Sequence, residues 1–145
     1  MQLSQNFTLE RFVFSSTAER RGIDNTAPDD VVANLKVLAN YLEQVQSSLG
    51  HEIHFNDVYR CNELNMIVGG SPTSDHVHGL AADFTCPSFG TPREVIHRIV
   101  EAGIPFDQLI YEGTWVHFGC GERMRGELET ASFANGKPTY TLGVA

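Results

Sequence analysis

Two imidazoles and one carboxylate stand at spacings that a zinc site could use. His76 and Asp83 lie within one short run, residues 74–83, and His117 follows further along the chain. Catalytic zinc usually takes three protein ligands from His and Asp or Glu and leaves a fourth position to water. These three residues fit that count, and Glu112 is left over as a candidate base. The chemistry they predict is metal-assisted hydrolysis.

Three further side chains would surround such a metal. Glu112, as general base, would take a proton from the attacking water and pass it to the leaving amine. Arg60 is a fixed positive charge that could stabilise the oxyanion of the tetrahedral intermediate. Trp115 is predicted to share a strand face with His117, where it could wall the cleft. Two plainer roles stay open: Arg60 also fits a structural ion pair, and Glu112 a solvated turn residue.

Two helices are predicted from periodicity and capping. Apolar residues recur at steps of three and four over 31–49, and Gly50 ends this helix. The run Thr91-Pro92-Arg93-Glu94 is a capping box that begins the second helix, and Gly103 stops it.

Strands are predicted where apolar residues alternate or form short runs. Alternation at 53–55 predicts a strand that runs toward Arg60, and residues 80–84 predict a buried strand of small side chains. Residues 109–111 and 115–118 flank a tight turn, which predicts an antiparallel hairpin with Glu112 close to His117.

Other segments carry weaker signals. Residues 6–25 predict an arm with one short helix at most, and residues 62–74 predict a polar, glycine-bearing loop. The tail, residues 121–145, predicts one strand near 140–142.

These elements predict one small α+β domain over residues 1–145, with helices packed on a central antiparallel sheet that carries the zinc site. Residues 1–25 would form an N-terminal arm, and residues 26–145 the catalytic core. Gly79, between His76 and Asp83, argues against one continuous helix and favours a loop that leads into a strand.

Composition excludes several functional classes. The net charge of −8 and the lack of a basic stripe argue against a nucleic-acid partner. No apolar run approaches the roughly 20 residues that span a bilayer, so no membrane partner is expected. The N-terminus lacks a signal-peptide pattern, which predicts synthesis in the cytoplasm. Three cysteines without a C-x-x-C motif indicate a protein made in a reducing compartment, and they are expected to be small buried side chains.

The remaining histidines are not expected to bind the metal. His78 forms a His-x-His pair with His76, but such a pair is more often a surface or supporting feature than a second metal site. His51, His54 and His97 are predicted to lie on solvated faces.

Two motifs together resemble those of the zinc D-alanyl-D-alanine metallopeptidases, a family of D,D-carboxypeptidases, D,D-dipeptidases and phage L-alanyl-D-glutamate endolysins. They are Ser74-x-His76-x-x-Gly79-x-Ala81-x-Asp83 and Glu112-x-x-Trp115-x-His117. Residues 59–65 and 68–71 resemble the carboxypeptidase-type branch of that family. Residues 6–25 resemble N-terminal segments of phage and prophage members.

The resemblance implies a role for each matching residue. His76, Asp83 and His117 would bind one zinc ion per chain, Glu112 would be the catalytic base, and Arg60 would contact substrate or transition state. It also implies a fold like that of the hedgehog and D,D-peptidase domains. Three more residues are candidates for the substrate cleft: Ser74, Asp75 and Trp115. Asp75 stands where many relatives carry Gln.

The function so implied is hydrolysis of a peptide bond in the stem peptide of bacterial peptidoglycan, by a carboxypeptidase or an endolysin-type endopeptidase. The partner would be the stem peptide, and the protein is expected to be a monomer. Without a signal peptide, it could act on the cell wall after release, as a phage lysin does, or stay a cytoplasmic prophage product. Two alternatives remain: a non-catalytic zinc-binding recognition module of the same fold, and a phage structural or assembly peptidase.

Overall fold

The computed structural model describes residues 1–136 and 138–145, and its helices lie where caps and apolar stripes favour them. The long helix ends at Gly50 in the left-handed conformation (φ +67°), and the Thr91–Glu94 capping box forms in full, as predicted. The α-helices are α1 (Leu9–Val13), α2 (Ser16–Arg21), α3 (Asp29–Leu49), α4 (Asn62–Ile67) and α5 (Pro92–Glu101).

A six-stranded sheet runs through the molecule in the order β1-β2-β4-β3-β5-β6. All neighbouring strands are antiparallel except β3 and β5, which pair in parallel. The strands are β1 (His54–Asp57), β2 (Ala81–Thr85), β3 (Gln108–Tyr111), β4 (Val116–Gly119), β5 (Glu127–Ser132) and β6 (Thr139–Leu142). This confirms the predicted α+β domain with a central, mostly antiparallel sheet.

One face of the sheet is apolar and packs against helices. Phe84 of β2 and Phe118 of β4 are fully buried on this face, together with residues of α3 and α5. The rings of Tyr41 in α3 and Phe118 lie 6.5 Å apart, centroid to centroid. Because side chains alternate along a strand, the residues between these apolar positions point to the opposite face.

That opposite face carries a row of residues that are paired strand to strand. Asp83 of β2 pairs with His117 of β4, His117 with Ile110 of β3, and Ile110 with Glu129 of β5. Directly paired residues share a face of the sheet. The register therefore places Asp83 and His117 side by side on the face that the helices leave open.

Three segments contain more regular structure than predicted. The arm contains two short helices rather than one at most, because Thr8 and Ser15 each cap a helix start with a side-chain oxygen. Residues 62–74, predicted as a loop, contain α4. The tail contains β5 as well as the predicted strand near 140–142, because β5 gains its hydrogen bonds from the distant strand β3.

The arm also contributes to the core. Phe7 and Phe12 are fully buried, and both rings pack edge-on against Phe55 of β1, at centroid distances of 5.3 and 5.2 Å. In the described part of the chain, no helix combines the length and apolar character needed to cross a membrane. The cysteines, Cys61, Cys86 and Cys120, are all free thiols.

Candidate metal centre and cleft

The three predicted ligands come together from three separate elements. Asp83 lies on β2, His117 on β4, and His76 in a short 3-10 helix, residues Asp75–His78. One potential ligand atom from each residue lies within 4.8 Å of the other two. The predicted set is therefore close enough to hold a single ion.

His76 is oriented by hydrogen bonds on two sides. The Ser74 hydroxyl accepts the His76 backbone N–H at 3.2 Å, which caps the 3-10 helix. The His76 ring donates from Nδ1 to the Val58 carbonyl at 2.6 Å. Its Nε2 then lies 3.3 Å from Asp83 Oδ1. Because Nδ1 faces the Val58 carbonyl, Nε2 is the ring nitrogen that is positioned to face a metal.

Gly79 allows the chain to turn from the 3-10 helix into β2. It has a φ of +72°, and a Cβ atom there would lie only 2.9 Å from Val31 and 3.0 Å from Leu35 of α3. A larger residue would be strained and would collide with the helix. Gly79 therefore allows the His76 turn to pack directly against α3.

Asp83 stays ionised despite its burial. Burial alone would raise its pKa, but the charge of His76 and hydrogen bonds from His117 and His76 hold that pKa well below its usual range. His117 Nδ1 lies 2.9 Å from Asp83 Oδ1. Two imidazole nitrogens and one ionised carboxylate are a donor set of the kind that open zinc sites use. The residues present therefore fit a zinc ion.

Glu112 lies in the predicted turn between β3 and β4. Its backbone N–H bonds to the Trp115 carbonyl at 3.1 Å, and Gly113 takes a φ of +85°. The Trp115 indole donates to Glu112 Oε2 at 2.7 Å. Burial and the nearby charge of Asp83 raise the pKa of Glu112 above its ordinary value. A carboxyl group with a raised pKa is well suited to exchange protons near neutral pH.

Arg60 follows β1 and lies at the side of the same cleft. Its guanidinium forms an ion pair with Asp57 at 2.7 Å and donates to the Ser74 hydroxyl at 3.3 Å. Only 13% of its side chain is exposed. The positive charge is therefore held in place beside the candidate metal centre.

A cleft of about 1070 Å³ contains all of the predicted site residues. A depression of about 980 Å³ beside the end of α3 is nearly as large, but no predicted site residue lines it. The predicted residues that line the larger cleft are Arg60, Ser74, Asp75, His76, Asp83, Glu112, Trp115 and His117. The other four histidines are solvent-exposed and lie outside the ligand group: His51, His54, His78 and His97.

Sequence reasoning missed several residues of this cleft. Glu129 and Tyr140, from β5 and β6, line its far wall, and Asp57 supports Arg60 from β1. No local sequence pattern indicated that Glu129 and Tyr140 would line the cleft, because β5 reaches the cleft only by pairing with β3. Asp57 could have been identified from the sequence, since a carboxylate three residues before an arginine is a candidate ion-pair partner.

The chain was also compared with known proteins. No curated protein matches it. Residues 5–119 match a family model described as Peptidase M15, and this segment runs from the arm to the last residue of β4. It includes every residue of the candidate metal centre. Since the match covers most of the sequence, the chain belongs to the Peptidase M15 family of zinc-dependent metallopeptidases.

Proposed function

We propose that the protein is a zinc peptidase that hydrolyses a peptide bond in the stem peptides of bacterial peptidoglycan. The observation that carries the proposal is a single cleft that brings together the group of three candidate ligands, the partly buried Glu112 carboxyl and the Arg60 guanidinium, which is held by an ion pair. Membership of the Peptidase M15 family supports the same chemistry. The substrate and the roles of individual residues are parts of this proposal.

His76, Asp83 and His117 are the residues that would hold the zinc ion. When bound, zinc supplies Lewis-acid chemistry, polarising a carbonyl and making water more acidic. Two of the ligands are anchored by the sheet register, and the third by the Val58 carbonyl. Their geometry is therefore set before substrate arrives, which limits the reorganisation needed during the reaction.

Glu112 is the proposed general base. Its Oε2 accepts the Trp115 indole N–H, so Oε1 is the atom free to take a proton from the attacking water. The same oxygen can then give that proton to the leaving amine nitrogen as the C–N bond breaks. Because burial raises its pKa, Glu112 can both accept and return the proton.

Arg60 is proposed to stabilise the oxyanion of the tetrahedral intermediate. Its charge is buried and already oriented by Asp57 and Ser74. Such a preorganised charge lowers the barrier by about 3 kcal/mol in comparable sites. Ser74, Asp75 and Trp115 line the same cleft and would contact the substrate on either side of the bond.

A non-catalytic zinc-binding module is the main alternative. It would need the three ligands but neither a carboxyl with a raised pKa nor a held guanidinium beside them. The presence of Glu112 and Arg60 in the cleft therefore favours the enzyme. An assembly-related peptidase of a phage would share the chemistry and differ only in its substrate.

Digestion of purified peptidoglycan tests the proposal. Mass analysis of the fragments, with and without a chelator, identifies the cleaved bond and separates carboxypeptidase from endopeptidase action. We expect cleavage that the chelator stops and added zinc restores. Unchanged cleavage in chelator would contradict the zinc mechanism, and intact peptidoglycan under all conditions would contradict the proposed substrate.

Glu112→Gln is the matched variant for the catalytic step. It keeps the shape of the side chain and an acceptor for the Trp115 indole but cannot accept the proton. We expect a loss of at least about 100-fold in kcat with zinc content still near one per chain, given what general bases contribute. Glu101→Gln, an exposed glutamate on α5, is the control and should keep full activity. Retained turnover in Glu112→Gln would remove Glu112 from the mechanism.

A further inference from the structure

We infer that Asp57 is a positioning residue that holds the Arg60 guanidinium in its place beside the metal centre. The inference rests on the proposed function, because the role of Arg60 is part of that proposal. It concerns a residue that neither motif includes, and it follows from the backbone of β1 and from the contacts of the Asp57 carboxylate.

A β-bulge in β1 directs Asp57 toward the cleft. Phe55 pairs with Phe84, but Asp57 pairs with Asp83, so one extra residue, Asn56, is inserted between the two pairs. In a regular strand, Phe55 and Asp57 would point to the same face. With the bulge, Phe55 packs in the core with Phe7 and Phe12, while Asp57 lies opposite the metal-ligand candidate Asp83. Bulges often re-aim one side chain in this way next to active sites.

The re-aimed carboxylate contacts Arg60 directly. Asp57 Oδ2 lies 2.7 Å from Arg60 Nη1, and both side chains are largely buried, at 22% and 13% exposure. Among the described residues, no other carboxylate lies within ion-pair distance of this guanidinium. Its Nη2 donates to the Ser74 hydroxyl, while its buried Nε has no protein partner. Asp57 therefore provides the one charged contact that holds the guanidinium.

His76 is a second neighbour of Asp57, but the contact is weaker. Asp57 Oδ2 lies 3.9 Å from His76 Nδ1, which already donates to the Val58 carbonyl at 2.6 Å. The orientation of the imidazole is therefore set by Val58. Loss of the Asp57 carboxylate should release Arg60 and leave the metal ligand in place.

A double-substitution cycle tests this assignment. Asp57→Asn keeps the side-chain shape and removes the charge, and we expect kcat on peptidoglycan fragments to fall about 10-fold or more, with a smaller change in KM. Arg60→Ala should cost more, and Asp57→Asn combined with Arg60→Ala should be no slower than Arg60→Ala alone, because Asp57 acts through Arg60. Asp57→Glu, which keeps a carboxylate, should recover part of the rate.

The controls address the fold and the metal. Asn56→Ala removes only the exposed side chain of the inserted residue and keeps the backbone of the bulge and the ion pair, so it should keep near wild-type activity. Zinc affinity, measured by competition with a chelating dye, should stay within about threefold in Asp57→Asn. A larger loss would show that Asp57 acts on His76, and additive losses in the cycle would show that it acts independently of Arg60; either result overturns the inference. A wild type that cleaves no peptidoglycan would instead overturn the proposed function.

Discussion

The hydrogen bond from His76 Nδ1 to the Val58 carbonyl, 2.6 Å long, determines which nitrogen of His76 faces Asp83. Because Nδ1 is occupied as a donor, Nε2 is directed toward the carboxylate, 3.3 Å away. Val58 directly follows β1, so the strand that carries Asp57 also orients a candidate metal ligand. The metal centre thus depends on three strands and on the 3-10 helix.

Replacing His76 by Ala should abolish stoichiometric zinc binding, because it removes one of the three proposed protein ligands. His78→Ala is the matched control, since His78 lies in the same 3-10 helix but is solvent-exposed. Metal analysis of the two purified variants, together with His117→Ala, checks the ligand set. Equal zinc content in His76→Ala and His78→Ala would contradict it.

Trp115→Phe should lower kcat by about 10- to 150-fold, because a hydrogen bond to a charged group contributes about 1.5–3 kcal/mol. Burial and Asp83 raise the pKa of Glu112, whereas the Trp115 indole is among the groups that lower it. Without the indole, that pKa should rise further. Since a base must be deprotonated, the acidic limb of the pH–rate profile should move to higher pH. An unchanged pH–rate profile would show that Trp115 lines the cleft without affecting the pKa of Glu112.

Gly79→Ala should destabilise the protein by about 1–3 kcal/mol, because the new methyl group combines backbone strain with overpacking. Its Cβ would meet Val31 and Leu35 at 2.9 and 3.0 Å. Gly22→Ala is the control, because Gly22 also has a positive φ but open space around it. Urea unfolding should therefore show a larger loss for Gly79→Ala. Equal losses would mean that the contact with α3 adds nothing.

Asp107→Asn should remove a pH-dependent part of the stability. Hydrogen bonds from Arg125 are the main reason that the pKa of Asp107 lies below its ordinary value. A lowered folded-state pKa stabilises the fold above the unfolded pKa of about 3.9, and the contribution is lost as pH falls through the folded-state value. The difference in unfolding free energy between wild type and Asp107→Asn should thus be largest above about pH 5 and shrink in acid. A difference independent of pH would refute this linkage.

Much of the fold could be predicted because the signals are local. The apolar periodicity of α3, the capping box of α5 and the turn at Glu112 each lie within a short stretch of sequence. Local hydrogen bonds and one buried stripe suffice to define such elements. The second short helix of the arm and α4 were missed, since helices of five or six residues depend on tertiary packing more than on their own propensity.

The sequence by itself determined the residue types of the candidate site and their order along the chain. Only the tertiary structure decided how they meet. Asp83 and His117 become neighbours through the register of β2 and β4, Asp57 reaches Arg60 through a bulge, and β5 joins the cleft by pairing with β3. These relations depend on hydrogen bonds between distant segments, and a shift of one residue in register would turn each side chain to the other face. No local pattern specifies such pairings. The chemistry of the candidate site could therefore be predicted from the sequence, whereas the geometry of the site could not.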